Sequence, residues 1–365
     1  MGSDIGHRIK LSIFGESHGE MIGCTLHNLP AGERIDLEAV YAQMARRAPG
    51  NDATATPRKE SDVPRVVSGF CAGKTTGTPL TAVIVNENTR SADYAAQVSV
   101  PRPGHADYTG AVRYNGANDV RGGGHFSGRL TAPMVFAGAV CRQILARRGV
   151  TIGAHILEIG GVRDDSFDIH EPSAALLKGL SEQPFALLDE TKEAPMRAAV
   201  SAAYTAADSV GGLIELAVTG LPVGIGSPMF GGVENVLSPL IFGIPAVKGL
   251  EFGDGFALAA MRGSAANDSL QYDDDGHLTL MSNHNGGILG GITDGAPLIL
   301  RVVIKPTPSI GQVQASVDVT TEQNTTTVIR GRHDPCIVPR AVPVLEAAVA
   351  IGLLDLWESE AGHLT

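Results

Sequence analysis

Two histidines of this 365-residue chain stand on short glycine-bounded loops, each beside groups able to hold a proton or an anion. One is in Gly15-Glu16-Ser17-His18-Gly19; the other is in Arg102-Pro103-Gly104-His105-Ala106-Asp107-Tyr108. An imidazole titrates near pH ~6.5, so it can give or take a proton close to neutrality. Arg102 offers a fixed charge and a fork of donors that suits a phosphate or carboxylate. The first string also fits the G-x-S-x-G nucleophile elbow, which requires a helix directly after the turn. Residues 21–26 instead alternate like a strand and contain a glycine. A strand–turn–strand presenting Ser17 and His18 at a pocket mouth fits better, with a serine hydrolase as the rival and a plain surface turn as the blandest reading.

Further loops offer bare backbone or anion-binding side chains. Gly122-Gly123-Gly124-His125-Phe126-Ser127-Gly128-Arg129 runs into a helical pattern. Consecutive glycines let backbone N–H groups approach an anion or a flat ring, and a helix start adds a favourable dipole. Gly286-Gly287-Ile288-Leu289-Gly290-Gly291 is similarly bare, Lys305-Pro306-Thr307-Pro308-Ser309 sets an ammonium and two hydroxyls on a stiff frame, and Arg332-His333-Asp334-Pro335-Cys336 pairs a cation with a carboxylate. The dinucleotide fingerprint is missing, because Ser127 stands where its third glycine belongs, and Gly69…Gly73-Lys74-Thr75 is one residue too short for a P-loop. Asp273-Asp274-Asp275-Gly276 lacks calcium-loop spacing and reads as a solvated turn. Chemistry alone thus reaches an anion-binding site with two histidines.

The elements that must carry these loops are a mixture. Residues 9–14, 80–86, 213–218 and 298–304 read as strands. Residues 36–47 read as a helix capped by Asp36, residues 133–148 as one closed by Gly149, and residues 342–357 as one with Pro343 in its first turn. No regular strand–helix alternation appears, so the class is α+β, and no linker divides residues 1–365, so one interwoven domain is expected.

Composition narrows the partners. Hydrophobic residues make up 43% and charged residues 18%, as in an ordinary globular chain. No apolar run approaches the ~18–20 residues that span a bilayer, and no secretory pattern opens the chain. Four scattered cysteines suit a reducing cytoplasm and argue against a disulfide framework or a zinc site. A net charge of −11 argues against nucleic acid. Residues 1–130 nonetheless carry 14 Lys and Arg against 13 Asp and Glu, whereas the remainder carries 14 against 26. A basic pocket within an acidic protein suits a small anion.

Taken in order, Phe14-Gly-Glu-Ser-His-Gly19, the Arg102–Tyr108 string, the triple-glycine loop, Gly286–Gly291, Lys305-Pro-Thr-Pro-Ser-Ile310 and Gly331-Arg-His-Asp-Pro-Cys336 resemble the chorismate synthase family. Shorter matches lie between them, at Gly73–Thr78, Lys248–Asp254 and Met261–Ser264, and the likeness runs from about residue 6 to residue 356. The resemblance implies a β-α-β sandwich, helices packed between antiparallel sheets, assembled as a cytoplasmic homotetramer. It implies a substrate, 5-enolpyruvylshikimate 3-phosphate, that loses its 3-phosphate and a C6 hydrogen in a 1,4-anti elimination. Reduced FMN is needed without net redox change, supplied by a separate flavin reductase, and no metal is involved. His18 would serve the departing phosphate and His105 the reduced flavin, with Asp334 beside Arg332 and Ser17 relaying protons. His125, Phe126, Ser127, Gly290, Lys305, Pro306, Thr307, Pro308, Ser309 and Arg332 would surround FMN, and Arg47, Arg58, Arg102 and Arg129 would clamp the substrate's anionic groups. Ala48 and Ala53 stand where the family carries further arginines, and His125-Phe126-Ser127-Gly128-Arg129-Leu130 replaces the commoner Arg-Ser-Ser-Ala-Arg-Glu. Those departures motivate one rival, a non-catalytic flavin or phospho-ligand binding protein on the same fold.

Overall fold

The structure, a computed structural model, describes residues 2–49, 62–86, 99–167, 172–329 and 334–360. The N-terminal part contributes strands β1 (Asp4–Ile5), β2 (Lys10–Gly15), β3 (Met21–His27), β4 (Arg65–Ser68), the short pair β5 (Phe70–Cys71) and β6 (Lys74–Thr75), and β7 (Leu80–Val85). Five of these form one antiparallel sheet in the order β1-β2-β3-β7-β4. Helix α1 (Leu37–Arg47) follows β3, and the Asp36 carboxylate accepts from the Glu38 and Ala39 N–H groups that the helix start leaves unpaired.

Next come α2 (Asp107–Arg113), α3 (Thr131–Arg147), β8 (Thr151–Ile159), β9 (Val162–Arg163), α4 (Ala174–Leu180), α5 (Glu193–Thr205), β10 (Gly212–Thr219), α6 (Val233–Phe242) and β11 (Val247–Phe252). After the one-turn α7 (Gly263–Ala266) lie the hairpins β12 (Leu270–Tyr272) with β13 (Leu278–Leu280) and β14 (Ile288–Leu289) with β15 (Ile292–Thr293). Strand β16 (Leu298–Ile304), the hairpin of β17 (Gln314–Asp318) with β18 (Gln323–Thr327), and α8 (Val338–Glu360) complete the order. The second five-stranded sheet runs β11-β16-β10-β8-β9 and is antiparallel throughout.

Between the sheets lie α3 and α8. Helix α3 touches β2, β3 and β7 on one side and β8 on the other, while α8 lies along α3 and α6 and covers β8 and β10. Both are buried on nearly every face, as a helix enclosed by two sheets must be. Their approach is close: a Cβ at Gly138 would stand 2.7 Å from the Ala347 carbonyl oxygen, so only glycine fits there. The expected β-α-β sandwich is the observed architecture.

The expected strands and helices appear with small shifts at their ends, and one end needs correction. Helix α8 begins at Val338, so Pro343 lies inside it, and Pro339 occupies the first turn where a missing N–H costs nothing. After the Gly15–Gly19 string comes a strand, β3, and not the helix that a nucleophile elbow needs.

Candidate active site

Antiparallel pairing of β2 with β3 leaves residues 16–20 as the connecting turn, which delivers Ser17 and His18 to the edge of the helix layer. Both side chains are buried, His18 to 6% exposure. The turn is held against the triple-glycine loop by the Ser17 N–H donating to the Gly124 carbonyl at 3.1 Å. Gly122, Gly123 and Gly124 all have positive φ (63°, 84° and 53°), which side-chain-bearing residues adopt only with strain. A Cβ at Gly122 would lie 2.6 Å from His18 Nε2, and one at Gly123 would lie 3.2 Å from His105 Nε2. The glycine loop therefore passes between the two histidines, and its bareness brings each ring up to it.

His105 is set by a relay of fixed groups. Arg102 grips the Asp107 carboxylate through Nε and Nη2 at 2.7 Å each, and Asp107 Oδ1 lies 2.7 Å from His105 Nδ1. Burial alone would push the Asp107 carboxyl up. The hydrogen bonds and charges of Arg102 and His105 outweigh it and hold the group well below the usual carboxylate range. Asp107 therefore stays ionised and holds the His105 ring at Nδ1, while Arg102 Nη2 reaches the same ring at 3.0 Å from Nδ1 and 3.3 Å from Nε2. Arg102 Nη1 also donates to Ser309 Oγ at 3.2 Å, and Lys305 Nζ to the Gly104 carbonyl at 2.7 Å, which joins the 102–107 and 305–309 loops. Asp334 joins them through its backbone, accepting from Thr307 Oγ1 at 2.8 Å.

These loops open on a cleft of about 1080 Å³. Its described lining carries seven cations (Arg47, Arg102, Arg113, Arg129, Lys248, Lys305 and Arg340) against two carboxylates, Asp4 and Asp334. His105, His125, Phe126, Ser127, Thr307, Pro308 and Ser309 also line it. His18 stands one layer behind, at the wall position that Gly122 leaves without a side chain. Pro306 packs behind the wall against Gly211, and Gly290 lies at an exposed hairpin turn that is not among the lining residues. Arg58, Ala53 and Arg332 lie outside the described residues.

Several partners escape the sequence. Buried Asp62 lies between two of the expected clamps, 2.9 Å from Arg47 Nη1 and in a short ion pair with Arg129. Arg47 also donates to Thr131 Oγ1 (3.1 Å) and the Gly128 carbonyl (2.8 Å); burial and the nearby Arg340 charge lower it to about 10 despite Asp62. Arg340 pairs with Asp334 Oδ2 at 2.7 Å. The three described clamps are thus fixed from behind by Asp62 and Asp107. No periodic spacing links positions 47, 62 and 129, and only the fold brings them together.

A buried histidine (His18) and a half-buried one (His105) on either side of a bare-backbone loop, beside a roomy basic cleft, suit proton transfer on a small polyanion. The chorismate synthase family model matches residues 9–357. The chain is 44% identical to a chorismate synthase of Lancefieldella parvula over 99% of this chain and 98% of that one, and 42% identical to one of Methanosarcina mazei over 97% and 95%. A crystal structure of a chorismate synthase superposes with a TM-score of 0.77 at 26% identity, covering 98% of this chain and 94% of the other. The chain belongs to the chorismate synthase family.

Proposed function

We propose that this chain is the lyase its family name describes: it converts 5-enolpyruvylshikimate 3-phosphate to chorismate and inorganic phosphate with the help of reduced FMN. The observation that carries the reading is the pair of histidines astride the Gly122–Gly124 loop beside a strongly basic cleft in a chain of net charge −11. In the reaction the C3–O bond breaks, a hydrogen leaves C6, and a diene forms without net oxidation. Reduced FMN, held in the cleft, would supply transient electron density for that bond cleavage without net redox change. The site suits such a group: the cleft has room for a flat ring and a second small anion together, and Ser17 Oγ is buried beside it with no hydrogen-bond partner among the described residues.

The chain's own residues supply proton control and charge. His18 donates to the departing phosphate, a general-acid role worth about 10²–10⁴ in rate. His105, held by Asp107 at Nδ1, handles the proton on the cofactor side of the cleft. Ser17 and Asp334 extend that proton path. Arg47, Arg58, Arg102 and Arg129 bind the substrate's carboxylates and phosphate, and Lys305, Thr307, Pro308, Ser309, Phe126, Ser127 and Arg332 surround the cofactor. Asp62 and Asp107 keep the described arginines extended, so little ordering is left for binding.

Reduced flavin comes from a separate reductase, in line with the missing dinucleotide fingerprint. No helix among the described residues is long and apolar enough to cross a membrane, which accords with a cytoplasmic biosynthetic enzyme. Exposed Phe230 and Phe256, each 84% accessible, with Met229 and Tyr272, support assembly as a homotetramer that covers them. The test is anaerobic incubation of the chain with photoreduced FMN and the substrate. Chorismate and phosphate released in equal amounts support the lyase; FMN bound without turnover hands the fold to the non-catalytic binding protein.

A further inference from the structure

We infer that His125 is a positioning residue, a brace that ties the N-terminal segment and the Ser17–His18 turn to the triple-glycine loop, and not a ligand of the cofactor. Its catalytic consequence rests on the flavin-dependent reading above; the brace itself rests on geometry. His125 Nδ1 lies 2.8 Å from the Gly15 carbonyl oxygen, and Nε2 lies 2.7 Å from Ser3 Oγ. A carbonyl only accepts, so the ring proton sits on Nδ1 and the Nε2 lone pair receives the Ser3 hydroxyl. A neutral imidazole has one donor and one acceptor. Both are taken by partners within the chain, so the exposed ring has no nitrogen left for a bound molecule.

Gly15 ends β2 just ahead of Ser17, whose N–H donates to Gly124. The His125–Gly15 bond runs the opposite way, so turn and loop grip each other through a reciprocal pair. At the far end of the ring, Ser3 accepts the Ile13 N–H on its own carbonyl at 2.9 Å. Ser3 and its neighbours Gly2, Asp4 and Ile5 form part of the cleft wall. One side chain thus registers a wall of the cleft against the turn that carries His18. Where the family more often has arginine at this position, a long flexible cation could not make the same pair of short, directed contacts.

The test compares Ser3→Ala, His125→Ala, His125→Asn and His125→Gln in the full chain. Asparagine places an N–H where Nδ1–H was, and glutamine reaches from where Nε2 was. Three readouts are taken: hydrogen exchange at the Ile13 amide without cofactor, the dissociation constant for FMN, and kcat. Ser3→Ala and His125→Ala are expected to speed Ile13 exchange about three- to tenfold, the size of one net hydrogen bond. His125→Ala is expected to lower kcat by a similar factor, His125→Asn to recover kcat, and His125→Gln to recover slow exchange at Ile13 without kcat. Unchanged exchange in His125→Ala with FMN binding weakened tenfold would make His125 a direct ligand and overturn the brace. Unchanged values in all three readouts would overturn it as well. Should exchange respond as predicted while the wild type neither binds FMN nor turns over, the brace stands and the flavin reading falls.

Discussion

Gly122 joins a backbone φ of +63° to a missing side chain, and His18 depends on both. A methyl group there would meet the imidazole and would also strain a left-handed backbone by ~1–2 kcal/mol. Gly122→Ala is therefore expected to lower the urea midpoint modestly and kcat much more, by about 10²-fold, because a catalytic group displaced by an ångström loses its alignment. Parallel urea titration and turnover measurements check this: equal, small losses in both would separate Gly122 from His18 function. At this scale the sequence already names both histidines, the glycines and the loop cations. Asp62 and Arg340 stay hidden in it, because an acid 15 residues after one arginine and 67 before another carries no pattern until the chain folds.

The elements bring a second charged group together outside the cleft lining. Across the second five-stranded sheet, β11, β16, β10 and β8 align Glu251, Arg301, Glu215 and His155 in one row. Arg301 Nε bonds Glu215 Oε1 at 2.8 Å, His155 Nε2 bonds Glu215 Oε2 at 3.0 Å, and His155 Nδ1 bonds Asp164 at 3.1 Å. With a carboxylate at each ring nitrogen, His155 is held as an imidazolium. Burial lowers its pKa, but the Asp164 and Glu215 hydrogen bonds outweigh that and raise it above the ordinary value. A raised folded pKa gives stability that is complete below the unfolded value of ~6.5 and is lost as pH climbs through the folded value. The chain is therefore expected to be more stable to urea at pH 6 than at pH 9. His155→Ala, which strands buried carboxylates, is expected to cost about 3–5 kcal/mol at pH 6 and to flatten that slope. A wild-type profile flat across this range would contradict the imidazolium. Element identity is well read from pattern: residues 298–304 form β16 with those bounds, and Asp36 caps α1 as its type suggests. Helix α8 is read four residues short because Pro343 resembles a helix start, whereas packing between α3, α6 and the second sheet carries the helix through it. The pairing order of the two sheets, set by contacts across long separations, is not legible in local pattern at all.

Across the whole molecule, an acidic chain lines one cleft with seven cations against two carboxylates. Field lines from that cleft draw in a polyanion, while the surrounding acidic surface discourages nucleic acid and nonspecific anions. Since the Debye length is about 8 Å at 0.15 M salt, adding salt is expected to lower kcat/KM for the substrate several-fold while kcat changes little. A kcat that falls in step with kcat/KM would place the salt effect on the fold or the chemistry and not on capture. The proton-transfer roles of His18 and His105 are read out by single-turnover phosphate release under anaerobic conditions with reduced FMN. Wild type, His18→Ala and His105→Ala would be compared at saturating substrate. Release slowed by about 10²–10⁴ in each variant, with FMN still bound, is the predicted result; release at the wild-type rate in either would contradict its assigned role.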